Sequence, residues 1–297
     1  MNESVRRSWL LVPMSKVEQI TEAARSGADV IVLDLAELVA EEDKPAARKK
    51  FQAAIPTALA GGAEVFAQID PGLLYEDFHA CVWPGLSGLV VSRTESYRQV
   101  VKAEVLLGQL EQERGIAPDT LTIVAALETA RGNHAAHEIS CASRRLWGLT
   151  LGRADLIMDL RPEPSGEPHL MPYLMQRLIV IAGAAGVTPI GAWWRAPDRG
   201  LLATPDNTFQ AARRGRAIGF MGAMCLRADQ VEPLNRGFTP DSAEVEAAQR
   251  LQAAYQARVA AGAADLTQGD RLIDRGAAAR ARSLLALAGA CAARGRV

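Results

Sequence analysis

The stretch Leu121–Leu160, LTIVAALETARGNHAAHEISCASRRLWGLTLGRADLIMDL, decides the fold that the sequence predicts. It contains two short apolar runs, Thr122–Leu127 and Leu146–Leu151, each about as long as a buried strand. The segment between them, Gly132–Ser143, is predicted to form one helix. Strand, helix and strand in this order indicate a parallel βαβ unit, because a crossover is needed to bring a second strand parallel to the first.

An acidic residue follows each of these two predicted strands. Glu128 comes directly after the first, and Asp155 lies four residues past the second. Neighbouring parallel strands end at the same edge of a sheet, so we expect the two carboxylates to lie a few ångströms apart. Two carboxylates form an incomplete oxygen shell of the kind that Mg²⁺ accepts, with waters and substrate oxygens completing it.

Further apolar runs alternate with helical stretches along the chain, and glycine or proline marks most of the breaks. Together with the two above they predict eight strands: Trp9–Pro13, Val30–Leu35, Val65–Ile69, Gly88–Val91, Thr122–Leu127, Leu146–Leu151, Pro189–Trp193 and Phe220–Leu226. This alternation predicts a (β/α)8 TIM barrel over residues 1–240. An open doubly wound sheet fits the same pattern and remains the structural alternative.

The sequence changes character after Pro240 and becomes rich in alanine. Asp241–Ala261 and Leu272–Ala293 are predicted helices that lie outside the barrel count. They form a C-terminal helical arm over residues 241–297. Such an arm either packs on its own barrel or crosses to a neighbouring subunit.

Composition limits the classes of function. The chain has 297 residues, of which 49% are hydrophobic and 23% charged, and a formal net charge of −1. This near-neutral charge does not favour binding to nucleic acid or to an acidic membrane surface. No apolar run is close to the length that a membrane span needs. The four cysteines form no CxxC pair, which favours reduced thiols in a cytoplasmic protein.

In a (β/α)8 barrel the chemistry lies at the ends of the strands, so the residues there are the candidates for a site. The predicted strand ends carry several acids and three arginines but neither histidine nor lysine: Asp34, Glu37, Gln68, Asp70, Ser92, Arg93, Glu128, Asp155, Trp194, Arg195 and Arg227. A Schiff-base aldolase needs a lysine at a strand end, so that mechanism is disfavoured.

Several motifs, in order and at their spacing, resemble the citrate lyase β-subunit group of the HpcH/HpaI aldolase superfamily. They begin with RSWLLVP at Arg7–Pro13 and SGADVIVLDL at Ser26–Leu35, and they include LETARG at Leu127–Gly132. The remaining motifs are VAEEDKPAAR at Val39–Arg48, GRADLIMDL at Gly152–Leu160 and GFMGAMCLRADQVEPLNRGFTP at Gly219–Pro240. The resemblance implies a Mg²⁺-dependent (β/α)8 enzyme that makes or breaks C–C bonds in acyl-CoA or acyl-carrier thioesters.

The resemblance also implies roles for individual residues. Glu128 and Asp155 match the family's Mg²⁺ ligands, in agreement with the strand-end argument. The segment RLID at Arg271–Asp274 resembles one from which an aspartate enters a neighbouring subunit's active site for proton transfer, and Asp274 holds that place. A homo-oligomer, trimer or hexamer, follows from this. A helix N-cap or an exposed charge on the arm is the alternative role for Asp274.

The residues that would read the substrate depart from the family pattern. Gln68 stands where the family has an arginine that grips a 2-oxo acid carboxylate, and a neutral amide cannot replace that charged fork. We therefore expect Arg93, Arg195 or Arg227 to bind the anion from another wall of the barrel.

Three functions remain open at this stage. The first is a Mg²⁺-dependent carbon–carbon lyase or aldolase acting on a 2-hydroxyacyl thioester or a related 2-oxo acid aldol. The second is an acyl-CoA thioesterase of the malyl-CoA type. The third is a catalytically degenerate ligand-binding or assembly subunit, which the altered substrate-reading residues would suit.

Overall fold

The computed structural model describes residues 5–70, 72, 74–152, 159–160, 167–192, 203–262, 267–268 and 271–295. Their packing divides the chain into two compact units, one of Arg6–Gly237 and one of Phe238–Val297 together with Met1–Val5.

The first unit is a barrel in which every strand is parallel to its neighbours and the last strand pairs with the first. The order is β1 to β8 around a closed ring, with Trp9 of β1 beside Met224 of β8. The strands are β1 (Ser8–Pro13), β2 (Val30–Asp34), β3 (Glu64–Ile69), β4 (Gly88–Val91), β5 (Thr122–Leu127), β6 (Leu146–Leu151), β7 (Thr188–Ala192) and β8 (Gly222–Cys225). The predicted (β/α)8 barrel is therefore confirmed, and the open-sheet alternative is wrong because β8 and β1 leave no free edge.

Helices follow the strands and cover the outside of the barrel. They are α1 (Gln19–Arg25), α2 (Lys44–Leu59), α3 (Leu74–Cys81), α4 (Tyr97–Glu113), α5 (Ala130–His134), α6 (Ala136–Ser140), α7 (Glu167–Ala185), α8 (Pro205–Ile218) and α9 (Val231–Phe238). No helix among the described residues is both long and apolar enough to span a membrane.

Alternate side chains of the strands fill the inside of the barrel. Strand side chains have a period of two, so one half of each strand faces inward and the other half faces the helices. The inward core consists of Trp9, Leu11, Val30, Val32, Phe66, Val90, Val124, Ala126, Ile190 and Met224. At the amino-terminal end Arg6 pairs with Glu64 at 2.6 Å and stacks on the ring of Trp147 at 4.3 Å. The interior is thus a packed core whose strand ends are left for a site.

The predicted helix Gly132–Ser143 is wrong in detail, because the chain forms two short helices there, α5 and α6. The break lies at Ala135, whose φ of −81° and ψ of 4° leave the helical region. The Arg177 guanidinium from α7 donates to the carbonyls of Asn133 and His134, which a continuous helix would use internally. This tertiary contact stabilises the end of α5.

The second unit contains two long helices that pack against each other, α10 (Ser242–Ala260) and α11 (Arg275–Arg294). A short antiparallel ribbon, β9 (Thr267–Gln268) with β10 (Arg271–Leu272), lies between them in the chain. The prediction started the last helix at Leu272, but α11 starts at Arg275 because Asp274 caps it. Its carboxylate accepts the backbone N–H of Ala277 at 2.6 Å.

Candidate functional site

Glu128 lies at the carboxyl end of β5 and is buried, with 6% of its surface exposed. Val124 and Ala126 face the barrel interior, and the strand period carries Glu128 to the same side. Its Oε2 accepts the backbone N–H of Arg93, which follows β4, at 2.7 Å. A carboxylate is thereby held in place at the mouth of the barrel by a charge-assisted hydrogen bond.

The backbone on both sides of Glu128 is shaped around its side chain. Arg93 has a φ of 46°, a left-handed conformation that is costly for a residue with a Cβ. On the other side, a Cβ at Gly152 would lie 2.1 Å from Cγ of Glu128. Only glycine therefore fits at the end of β6, and the strand on each side of β5 contributes one contact that fixes Glu128.

The LETARG segment turns directly from β5 into α5. The Thr129 hydroxyl accepts the N–H of Gly132 at 3.0 Å and caps the helix. A Cβ at Gly132 would lie 2.3 Å from the carbonyl oxygen of Thr94, so glycine is required for this close approach. The Asn133 amide donates to the carbonyl of Leu127 at 3.2 Å and ties the helix back to the strand end.

A second polar cluster lies at the ends of β2 and β3. The Lys44 side chain, 2% exposed, donates from Nζ to Oδ2 of Asp70 at 2.9 Å and also to Glu41. Burial disfavours the charge on Lys44, but the hydrogen bonds to Glu41 and Asp70 outweigh it and raise its pKa. For Asp70, burial raises the pKa, but the hydrogen bonds from Lys44 and from the Gly72 N–H leave it lowered overall.

Asp34 ends β2 and is fully buried. Its carboxylate accepts the N–H groups of Ala36 at 3.1 Å and Leu38 at 2.7 Å and so forms the turn after the strand. Burial raises its pKa to about 6, against the opposing effect of those hydrogen bonds and of Lys44.

The structure brings together some of the candidate site residues and separates others. Gln68 lies near the end of β3, and Arg93 and Glu128 follow the neighbouring strands β4 and β5 at the same end of the barrel, where Gln68 is buried and Arg93 exposed. Arg227 follows β8, and its guanidinium pairs with Asp229. Asp274 belongs to the C-terminal unit, where it caps α11; Asp155 and Arg195 lie outside the described residues.

Two features of this region were not predicted from the sequence, and a third was predicted only in part, because Ser92 was a strand-end candidate whereas Thr150 was not. Lys44 reaches Asp70 from the first turn of α2, so a reading of strand ends alone missed it, although it lies in the quoted VAEEDKPAAR motif. Gly152 supports Glu128 through the absence of a side chain. The hydroxyls of Ser92 and Thr150 are buried near the strand ends.

The donor chemistry of this end of the barrel suits a hard divalent cation. Glu128 supplies a buried carboxylate in a fixed orientation, and Mg²⁺ is usually bound through one or two carboxylates, with waters and substrate oxygens completing the shell. Within the part of the chain that the structure describes, no group of three or more His, Cys, Asp and Glu side chains is placed to hold a metal. A site here therefore needs Asp155, water or substrate as further ligands.

A closed ring of eight parallel strands with polar side chains gathered at their carboxyl ends defines a (β/α)8 barrel of the type that carries enzyme sites. The chain belongs to the HpcH/HpaI aldolase/citrate lyase family, whose model matches residues 7–228. The resemblance inferred from the sequence motifs is thereby confirmed.

Known proteins of this family align with nearly the whole chain. The citrate lyase subunit beta of Leuconostoc mesenteroides is 26% identical, over 97% of this chain and 95% of that protein. A (3S)-malyl-CoA thioesterase of Cereibacter sphaeroides is 27% identical, over 97% of this chain and 96% of that protein.

Solved structures of the CitE protein of Mycobacterium tuberculosis share the fold. Its complex with magnesium, acetoacetate and coenzyme A has a TM-score of 0.73 and 24% identity, covering 97% of this chain and 100% of that one. Its complex with magnesium and acetoacetate has a TM-score of 0.63 and 26% identity, covering 80% of this chain and 92% of that one.

Proposed function

We propose that this barrel is a Mg²⁺-dependent carbon–carbon lyase or aldolase acting on a 2-hydroxyacyl thioester or a related 2-oxo acid aldol. The observation that carries the proposal is the buried Glu128 carboxylate, which the Arg93 N–H holds at the mouth of the barrel. Membership of an aldolase and citrate lyase family supports the reaction class, and the M. tuberculosis relative solved with magnesium and acetoacetate supports the cofactor.

In this proposal Glu128 and Asp155 hold the Mg²⁺ ion. A bound ion would supply Lewis-acid chemistry there, namely polarisation of the substrate carbonyl and stabilisation of the negative charge that develops during cleavage or formation of the C–C bond. The Arg93 N–H keeps the Glu128 carboxylate in one orientation, so the ligand geometry is preorganised.

The remaining roles are proposed from the described side chains and from the sequence. The Arg93 guanidinium is exposed beside the site and is close enough to Asp70 to lower the pKa of that carboxyl, so it can also attract an anionic substrate. Gln68 offers a neutral amide from β3, and Arg195 and Arg227 are further candidates for binding the substrate's anionic groups. Asp274, supplied by a second copy of the chain in a homotrimer or hexamer, moves the proton.

Calorimetry of Mg²⁺ binding tests the proposal, with and without pyruvate, glyoxylate or oxaloacetate. We expect wild-type protein to bind Mg²⁺ more tightly in the presence of one of these acids. Glu128→Gln keeps an oxygen for the Arg93 N–H but removes the charge, and should weaken Mg²⁺ binding at least about tenfold. Glu138→Gln changes an exposed acid on α6 and is the matched control. Absence of Mg²⁺ binding by wild type under all these conditions would refute the proposal.

Two other functions have specific support. Similarity to the malyl-CoA thioesterase favours hydrolysis of a thioester at the same site. The neutral Gln68, in place of the arginine that the resemblance implies, favours a ligand-binding or assembly subunit. Product analysis separates the first from a lyase, because hydrolysis of a malyl-CoA substrate releases the free thiol whereas C–C cleavage releases a 2-oxo acid and a shorter thioester. If the wild-type protein does not bind Mg²⁺, the ligand-binding or assembly subunit is the function that remains.

Assembly and compartment complete the proposal. Light scattering at micromolar concentration tests the oligomer, and a monomer with a folded arm would contradict a site completed by Asp274 of a second copy. A cytoplasmic location is supported by the four cysteines, all of which are free thiols.

A further inference from the structure

Two buried hydroxyl groups near Glu128 have no hydrogen-bond partner among the described residues. They belong to Ser92, 1% exposed, and Thr150, 2% exposed. Buried polar groups in folded proteins are almost always hydrogen-bonded, because a buried hydroxyl without a partner gives up its hydrogen bonds to water and forms none with the protein. A pair of them in one region therefore needs an explanation.

Strand pairing puts both hydroxyls on the inner face of the barrel. Val90 and Val124, which are paired neighbours, both face the core, and the same pairing continued by two residues places Ser92 beside Ala126. The Ser92 N–H donates to the carbonyl of Ile69 at 3.1 Å, which extends the ladder past β4. Thr150 is the partner of Ala126 on the other side. Because paired residues of parallel strands share a face, the two hydroxyls flank the small Ala126 side chain inside the barrel.

This position is directly below the carboxylate of the proposed metal site. Ser92 precedes Arg93, whose N–H binds Glu128, and Thr150 lies two residues before Gly152, whose backbone packs against Glu128. Two residues along a strand correspond to about 6–7 Å, so Thr150 lies deeper in the barrel than Gly152 by about that distance. A ligand bound at Glu128 that extends inward would meet the two hydroxyls.

The chemistry of these groups selects what can bind there. A hydroxyl both donates and accepts hydrogen bonds but carries no charge. The other inward polar residues described at these strand ends are the neutral Gln68 and the acids Asp34 and Glu128, so none of them supplies a positive charge. The Lys44 ammonium is engaged by Asp70 and Glu41. A carboxylate placed between Ser92 and Thr150 would lose its hydration without gaining a cation, whereas a hydroxyl or carbonyl would be matched.

We propose that Ser92 and Thr150 form a subsite for a neutral hydroxyl or carbonyl oxygen of the substrate. The preferred 2-oxo acid then carries a hydroxyl group beyond its keto carbon and not a second carboxylate. This proposal rests on the proposed function, because it takes Glu128 with Mg²⁺ as the point at which the 2-oxo acid group binds.

A ligand panel tests the subsite by calorimetry with the full chain and Mg²⁺. The probes are hydroxypyruvate, 2-oxobutyrate, in which a methyl replaces the hydroxyl, and oxaloacetate, which carries a second carboxylate. We expect wild type to bind hydroxypyruvate at least about tenfold more tightly than either of the others. Ser92→Ala and Thr150→Val should each reduce this preference while leaving the affinity for 2-oxobutyrate within about twofold.

Thermal unfolding without ligand provides the second readout. Removing a hydroxyl that has no partner should leave the melting temperature unchanged or raised in Ser92→Ala and Thr150→Val. The matched control is Ser140→Ala on α6, whose buried hydroxyl donates to the His137 carbonyl at 2.7 Å; its melting temperature should fall.

The outcomes separate the two proposals. If wild type shows no Mg²⁺-dependent binding of any 2-oxo acid, the proposed function has failed. If wild type binds these acids with Mg²⁺ but shows no preference for hydroxypyruvate, or keeps it in both variants, only the subsite is refuted. A fall in melting temperature as large as that of Ser140→Ala, with the preference unchanged, would assign the hydroxyls to structure and also overturn the subsite.

Discussion

Replacing Gly152 by alanine tests whether the barrel is built around the Glu128 carboxylate. The new Cβ would lie 2.1 Å from Cγ, 2.8 Å from Oε1 and 2.9 Å from Cδ of Glu128. Nonbonded carbon atoms need about 3.5 Å, so the Glu128 side chain or the backbone after β6 must move by more than about 1 Å. Either movement disturbs the geometry that the Arg93 N–H fixes.

The size of the effect follows from the contacts that are lost. A hydrogen bond to a charged group contributes about 1.5–3 kcal/mol, so loss of the Arg93 contact should lower the free energy of unfolding by about that amount. Displacing a metal ligand by disturbing the groups that orient it typically weakens metal binding by about 10–100-fold. We expect both effects in Gly152→Ala.

Urea unfolding without metal and calorimetry with Mg²⁺ and pyruvate measure the two quantities. Gly183→Ala is the control, because Gly183 lies exposed within α7 and a Cβ there would meet nothing within 4 Å. That variant should gain about 0.5–1 kcal/mol, as expected for glycine replaced by alanine within a helix. The reasoning is refuted if Gly152→Ala unfolds and binds Mg²⁺ like wild type.

Three further predictions concern charged groups. Arg145 donates to Glu111 at 2.8 and 2.7 Å in a buried pair, so Arg145→Met should lower the free energy of unfolding by about 3–5 kcal/mol; a urea midpoint close to that of wild type would contradict this. Asp34 has its pKa raised from 3.8 to about 6, so the folded chain binds this proton more tightly than the unfolded chain does. The protonated Asp34 should therefore contribute about 3 kcal/mol to the free energy of unfolding at low pH, and this contribution should be lost as the pH rises from about 4 to 6. In Asp34→Asn the urea midpoint should depend less on pH over that range. Asp274→Asn should keep the cap of α11 and the melting temperature, whereas Asp274→Ala should lose about 1 kcal/mol; turnover that survives in Asp274→Asn would exclude proton transfer by this carboxylate.

Strand positions were predictable because each buried strand is a short apolar run bounded by glycine, proline or polar residues. The bounds of β4 (Gly88–Val91) and β5 (Thr122–Leu127) follow directly from such runs. Closure of the sheet was harder to predict, because the same runs and helices also suit an open sheet and only the pairing of Trp9 with Met224 distinguishes the two. The break at Ala135 could not be read locally, because it depends on Arg177 from another helix.

The positions of the candidate site residues that follow a strand were predictable from the sequence. The contacts that depend on backbone conformation were not. Glu128 follows a clear apolar run, so its place at the end of β5 was foreseen; that it binds a metal stays a prediction. Arg93 was chosen for its guanidinium, yet the contact that the structure gives it with Glu128 is made by its backbone N–H. The positive φ of Arg93 could not be predicted from the sequence, because this conformation is expected at glycine or asparagine and not at arginine.

Several energetically unfavourable features of the barrel lie close together, although Asp119 with a φ of 61° and buried guanidinium nitrogens of Arg6 and Arg48 that lack a partner among the described residues lie elsewhere. The grouped features bear on whether the barrel still binds a ligand. The left-handed Arg93, the buried carboxylate of Glu128 and the hydroxyls of Ser92 and Thr150, which lack a partner within the described part of the chain, all lie at the ends of β4, β5 and β6. Each costs stability, and none helps to close the barrel. Strain gathered at strand ends is what a preorganised site requires, since the groups that meet a ligand must be held ready for it before it binds. A subunit that served only for assembly would have no physical need to hold a carboxylate and two hydroxyls inside the mouth of the barrel. The arrangement therefore supports the proposed ligand site over a role in assembly alone, and a contact between Gln68 and the substrate stays a prediction.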